Sequence, residues 1–240
     1  MPSNLWQGRW KGRNPIGDIH HRARQVISPS GGIVRGKFPS RKNGRMVHHE
    51  GLLELEAIYL FETSPLIVGY REQPVTILYP DGARLRRYTP DFELKLATGR
   101  VVLIEVKPER SLQDQEVRYK LDRVADHLQR SGTPFIILTD ASIRQEPRLS
   151  NLRWLYQLAT RVPPSPAAAS LAATRYQSHF PLSLKAADSL LSKCGVHPCS
   201  LLLAGHAICT LEEAASPEML IHITKGAHDV WFYIAREHGF

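Results

Sequence analysis

The stretch VVLIEVKPE, residues 101–109, decides how the rest of the chain is read. A near-continuous apolar run rich in β-branched residues reads as a strand covered on both faces, the central strand of a sheet. Residues i and i+2 of a strand share a face, so Glu105 and Lys107 point together while Val106 points into the core. A carboxylate and an ammonium at the end of an otherwise apolar strand are costly to bury unless they pair or bind a ligand. An E-x-K pair alone is common on exposed strands, and a structural Glu105–Lys107 ion pair is the plain reading. Its setting is what turns it into a candidate site.

Upstream, RRYTPDFEL at 86–94 supplies the second acid. Proline can open a strand but not sit inside a central one, so Asp91 falls at a strand mouth, where a carboxylate reaches solvent and a metal. Residues 67–79 are rich in Val, Ile and Tyr, Pro80-Asp81-Gly82 reverses the chain, and 85–96 returns, which predicts one long hairpin. Before it, EGLLELEAIYLF at 50–61 places apolar residues at 52, 53, 55 and 58–61, too many for a surface helix. Pro65 ends that helix. Glu54 and Glu56 both sit among its apolar residues, and spacing alone does not choose between them.

Downstream, 111–130 predicts a long helix with an apolar stripe at 117, 121, 124, 125 and 128, followed by a buried strand at 134–139. Strand, helix and strand at this spacing fit a right-handed parallel crossover. A further helix is expected at 148–160. The Pro/Ala-rich run at 162–174 reads as a linker, which divides the chain into a basic arm (1–47), an α/β domain (48–161), the linker, and a small unit (175–240). That last unit, with helices at 183–193 and 198–204 and short strands or a helix within 208–224, suggests a winged-helix-like module.

The chain has 240 residues and a formal charge of +8, long enough for an ordinary domain with a smaller companion. Residues 1–50 hold ten Lys and Arg against Asp18 and Glu50, and the rest of the chain is balanced. A concentrated basic arm suits a polyanion, because each cation placed near a phosphate releases condensed counterions. Trp6, Trp10 and Phe38 are interleaved with it and are candidates for base stacking or core packing. Three cysteines, an odd number, no apolar stretch long enough to cross a bilayer and no signal pattern predict a soluble protein of a reducing cytoplasm. Cys194, Cys199, Cys209, His197 and His206 lack the paired spacing of a structural zinc site and read as ordinary thiols and imidazoles.

Hard oxygen donors beside a lysine suit phosphodiester hydrolysis assisted by Mg²⁺, with Mn²⁺ as a substitute. Asp91, Glu105 and the backbone carbonyl of Val106 are the candidate ligands, and a helix glutamate completes the set. Lys107 is the candidate for orienting water or stabilising the pentavalent phosphate.

The runs GKFPSRKNGRMVHHEGLLELEAIYLFETSPLIVGYREQPVTILY (36–79), RRYTPDFEL (86–94) and VVLIEVKPE (101–109) together resemble the TnsA endonuclease subunits of heteromeric cut-and-paste transposases. These are members of the restriction-endonuclease-like PD-(D/E)xK superfamily. The resemblance covers about residues 36–145 and implies an α/β restriction-endonuclease-like core, a mixed sheet flanked by helices, with a small C-terminal winged-helix-like domain. It implies Glu54, rather than Glu56, as the helix glutamate beside Asp91, Glu105 and Lys107, and a structural or site-adjacent amide at Gln73. It further implies cleavage of the 5′ strands at double-stranded transposon ends, partnership with an integrase-like subunit, TnsB, and an AAA+ regulator, TnsC, and in some systems a CRISPR-guided targeting complex. The rival readings are a non-catalytic DNA-binding adaptor that recruits the ATPase and a stand-alone restriction or repair nuclease.

Overall fold

The computed structural model describes residue 20, residues 22–23, 34–225 and 229–240. Trp6, Trp10 and the turn expected at 28–32 lie outside the described residues. Two strands, β1 (Gly36–Ser40) and β2 (Arg45–His49), form an antiparallel hairpin inside the span expected as an arm. Phe38 and Val47 carry it into the core, with the Phe38 ring 5.1 Å from that of Tyr59. From residue 36 on, the span expected as an arm is therefore part of the folded unit.

Helix α1 (Leu52–Thr63) follows and buries Ala57, Ile58, Leu60 and Phe61, which agrees with its apolar excess. Its C-terminal end is fastened to the β1–β2 turn. Lys42 donates from Nζ to the carbonyls of Phe61 and Ser64 at 2.8 and 2.6 Å, a cation on the orphan carbonyls at the negative end of the helix dipole. Glu62, 3% exposed, accepts from Ser40 Oγ, the N–H groups of Arg41 and Lys42, and the Tyr70 hydroxyl, at 2.7 to 3.0 Å. A buried carboxylate is tolerable when donors surround it. Glu62→Ala leaves those donors without an acceptor and is expected to lower stability by about 2 kcal/mol, read as a shift in the denaturant midpoint at unchanged m-value; an unshifted midpoint would show that the hairpin is not held here.

The segment expected as one long hairpin is two nested ones. β3 (Ile67–Glu72) pairs with β6 (Phe92–Leu96), while β4 (Ile77–Asp81) pairs with β5 (Arg84–Tyr88) as a separate two-stranded ribbon. The break falls at Gln73-Pro74 on one side and Pro90 on the other. Proline lacks the N–H that a continuous ladder needs, and Gln73 adopts φ 46°, a left-handed conformation that costs a non-glycine residue of order 1 kcal/mol. Its N–H donates to the Asp91 carbonyl at 2.8 Å, which holds the two ends of the break together. Sequence reasoning over-extended the strands because alternation continues through both prolines.

β7 (Val101–Lys107) lies between β6, antiparallel, and β8 (Phe135–Thr139), parallel, so the main sheet is mixed with order β3-β6-β7-β8. Val102, Ile104 and Val106 belong to the apolar core that includes α1, whereas Leu103 packs with the α2 side (Gln115–Arg130) through Leu121, Val124 and Leu128. Cover on both faces is what the continuous apolar run required. A 3₁₀ turn at Glu109–Gln113 precedes α2, and Asp114 caps that helix by accepting from the N–H groups of Glu116 and Val117 at 2.8 and 3.3 Å.

Two short helices, α3 (Asp140–Ile143) and α4 (Arg148–Leu158), return the chain to α1. The stretch expected as a linker is instead largely helix: α5 (Pro166–Tyr176) buries Ala169, Ala172 and Ala173 in the same apolar cluster as the sheet. Ser165 Oγ accepts from the Ala168 N–H at 3.1 Å and Pro166 occupies the first turn, a helix start that the serine and proline announce. Beyond it come β9 (Leu182–Ser183), α6 (Leu184–Leu191), α7 (Pro198–Leu203), β10 (Ala207–Ile208) and β11 (Leu220–Ile223), with sheet order β10-β11-β9. The tail returns to the first unit, where the Arg148 guanidinium donates to the Tyr233 carbonyl at 3.0 Å and Phe240 is fully buried. Among the described residues, no helix is long and apolar enough to cross a membrane.

Candidate active site

Asp91 immediately precedes β6, and its Oδ2 accepts the Val106 N–H at 2.8 Å, so the strand-mouth acid is fixed against β7 by a backbone donor. On β7, Lys107 Nζ is 2.8 Å from Glu105 Oε1. The other Glu105 oxygen accepts from the Tyr88 hydroxyl, and Glu105 is 3% exposed. Glu54, in the first turn of α1, accepts the Glu50 N–H at 2.7 Å. That position also suits a carboxylate because the helix N-terminus is its positive end.

The charges of these four side chains act on one another. Burial first, and then the carboxylates of Glu105 and Glu54, hold Asp91 well above the ordinary carboxyl range. Burial likewise pushes Glu54 up to about 7, with the Glu50 and Glu105 carboxylates adding to it against the opposing bond from the Glu50 N–H. Lys107 moves the other way: burial lowers it, but Glu105, Asp91 and Glu54 outweigh that and raise it above the ordinary lysine value. At neutral pH Lys107 is therefore an ammonium. Three carboxylates share one cation, and the imbalance is the electrostatic signature of the cleft.

Glu56 is elsewhere. Its oxygens bind Arg144 at 2.6 Å and Arg153 at 3.0 Å, tying α1 to the segment around α3 and α4. The two helix glutamates that spacing left equivalent thus face different partners, and Glu54 is the one brought to Asp91, Glu105 and Lys107. Gln73, 4% exposed, reaches the site through its backbone bond to Asp91.

Asp91, Glu105 and Lys107 line an open cleft of about 450 Å³, together with Ala23, Thr76, Arg87, Tyr88, Thr89 and Lys120. Tyr88 escaped sequence reasoning, although it precedes Pro90 by only two residues. Alternation along β5 turns its ring inward while Arg87 stays outside, and its hydroxyl fixes one oxygen of Glu105. Burial, then the Glu105 charge, raises the Tyr88 hydroxyl far above the ordinary phenol range, so it stays a donor. Lys120 could be found only by knowing that α2 packs beside β5; its Nζ lies 5.1 Å from the Tyr88 ring centroid.

Three hard oxygen donors with uncompensated charge fit a divalent cation such as Mg²⁺. The fit is one of chemistry rather than of a closed cage. Among the described residues, no group of three His, Cys, Asp or Glu side chains is drawn together as a ready ligand set. The C-terminal cysteines form none either: Cys199 and Cys209 are buried, and burial pushes both thiols up to about 12.

No curated protein matches the chain in sequence. Residues 64–140 match the family model described as TnsA-like endonuclease N terminal. That span holds Asp91, Glu105, Lys107, Tyr88 and the whole β3–β8 sheet, with Glu54 ten residues before it, so this α/β unit is similar to the N-terminal domain of TnsA-like endonucleases.

Proposed function

We propose that the chain is a metal-dependent endodeoxyribonuclease subunit of a transposase that cuts the 5′, non-transferred strands at transposon ends during excision. The observation that carries this reading is one open cleft lined by Asp91, Glu105 and Lys107, with Lys107 Nζ 2.8 Å from Glu105 and Glu54 near enough for its charge to act on all three. Asp91, Glu105, the Val106 carbonyl and Glu54 are the oxygen donors for Mg²⁺, with Mn²⁺ as a substitute. A cation bound there supplies charge neutralisation and an activated water to a phosphodiester.

The chain's own groups do the rest. Lys107, protonated at neutral pH, stabilises negative charge that develops on the phosphoryl oxygens, and it is not the general base. Tyr88 donates to Glu105 and keeps that carboxylate in one orientation. The Val106 N–H does the same for Asp91. Holding donors fixed before substrate arrives lowers the reorganisation that the reaction would otherwise require.

The partners in this reading are double-stranded transposon ends, the integrase-like TnsB, the AAA+ regulator TnsC and, in guided systems, a CRISPR targeting complex. The C-terminal unit, 175–240, is the winged-helix-like partner-binding part, and the compartment is the bacterial cytoplasm. The test is reconstitution of excision with the partner subunits on a transposon-ended DNA, with each strand mapped separately. Expected are 5′-strand nicks that require both this chain and Mg²⁺, and 3′ cuts that do not require its carboxylates. Absence of 5′ nicks under conditions that give 3′ cuts would favour the adaptor reading. Rapid cutting of bare plasmid by the chain alone would favour the stand-alone nuclease.

A further inference from the structure

Asp91 and Glu105 line the cleft, and Glu54, in the first turn of α1, lies near enough for its charge to act on both. The cleft is also lined by Arg87 of β5 and Lys120 of α2, both exposed, and by Thr76 and Thr89, whose hydroxyls lie 3.2 Å from each other. Among the described residues, neither Arg87 nor Lys120 has an ion-pair partner, whereas Arg86, the next residue on the ribbon, is paired with Asp81. The register explains the difference. Arg87 lies opposite Leu78 on the outward face, and Arg86 lies opposite Tyr79 on the face that packs toward α2.

A polyanion approaching three carboxylates is repelled unless cations flank its path. Among the described residues that line the cleft, the cations are Arg87, Lys120 and the Glu105-paired Lys107. Arg87 is four residues from Asp91, a reach of at most about 14 Å of extended chain, and a duplex carries a phosphate charge for about every 1.7 Å of its axis. Along one strand, where phosphates recur about every 3.4 Å of axis, at most about four phosphates therefore separate the acid that faces the scissile bond from the guanidinium that would grip the backbone beside it.

Resting on the endonuclease reading, we infer that Arg87 and Lys120, with the Thr76 and Thr89 hydroxyls, form a phosphate-gripping shelf that carries the DNA backbone out of the cleft over the β4–β5 ribbon rather than over α1. Their contacts are to backbone phosphates, so they position the duplex without reading its sequence. Arg87 supplies a planar fork of donors and Lys120 a point charge.

The experiment is fluorescence anisotropy of the full chain with a labelled random-sequence duplex in chelator, across a salt series. Loss of two phosphate contacts in the Arg87→Gln/Lys120→Gln double variant is expected to flatten the slope of log K against log salt by about 1.8. Affinity near 0.1 M salt should fall about tenfold or more. Arg130→Gln, at the exposed far end of α2, should keep the wild-type slope and controls for the loss of a surface cation away from the cleft. A wild-type slope in the double variant overturns the shelf, as does equal loss in Arg130→Gln. Asp91→Asn, followed in the excision assay, separates the two readings. If it abolishes cutting while the double variant binds normally, the shelf alone fails; if it cuts normally while the slope falls, the endonuclease site fails and the shelf stands.

Discussion

Asp91→Asn is expected to lower 5′-strand cleavage in the reconstituted reaction by about a thousandfold or more, the scale of losing a group aimed at developing charge or of disabling a metal-assisted step. The substitution is close to isosteric. An asparagine oxygen can still accept the Val106 N–H that Asp91 accepts at 2.8 Å, and the backbone bond from Gln73 to the Asp91 carbonyl does not involve the side chain. The fold should therefore survive, and the metal-free protein should melt no lower than wild type, because a buried charge crowded by Glu54 and Glu105 has been removed. Single-turnover rates with each strand labelled, measured beside thermal melts, make the check. Loss of cutting with an intact melt and persistent 3′ cuts assigns the defect to chemistry. Unchanged 5′ cutting would make the carboxylate structural and move the reading to the adaptor.

How far the sequence carries this site follows from the kind of information each residue needs. Glu105 and Lys107 were readable because the two-residue period of a strand fixes their common side without any knowledge of neighbours. Asp91 was readable because proline confines it to a strand mouth. Glu54 was not: both helix glutamates had apolar neighbours at helical spacing, and what separates them is that Arg144 and Arg153, far along the chain, reach Glu56. Nor was Tyr88, whose role depends on the register of a ribbon that sequence alternation had fused into a longer strand. The helix α5 shows the reverse case. Ser165-Pro166 before an alanine run is a helix start by local rules, and the proline-rich context hid it. Glu62 had no local signal, since its four donors come from a turn and a strand outside its own helix.

The charge imbalance that marks the cleft also makes a stability prediction, with its sign fixed by linkage. Glu54, pushed up to about 7, and Asp91, raised well above its ordinary range, bind more protons when the chain is folded than when it is unfolded. Their contribution is complete below the unfolded carboxyl values and is lost as pH rises through the folded ones. The metal-free protein should consequently lose stability between about pH 5 and pH 8, by about 3 kcal/mol for Glu54 alone at one pKa unit per 1.4 kcal/mol. His48 opposes this on the acid side. Burial, followed by the Arg22 charge, lowers it to about 4, so it adds stability as pH rises from 4 toward the ordinary histidine value. Glu54→Gln and Asp91→Asn keep His48 and remove the carboxylates, so the difference between wild type and variant isolates the cleft. A cation that binds only the folded state adds about 2.7 kcal/mol at a hundred times its dissociation constant, and it binds the ionised carboxylates best. Mg²⁺ should thus flatten the decline in wild type and do little in either variant. Thermal melts in chelator and in Mg²⁺ from pH 5 to 8 read all of this; a wild-type protein whose stability climbs across that range in chelator, or gains no more from Mg²⁺ than Asp91→Asn does, would leave the three carboxylates without a cation to answer.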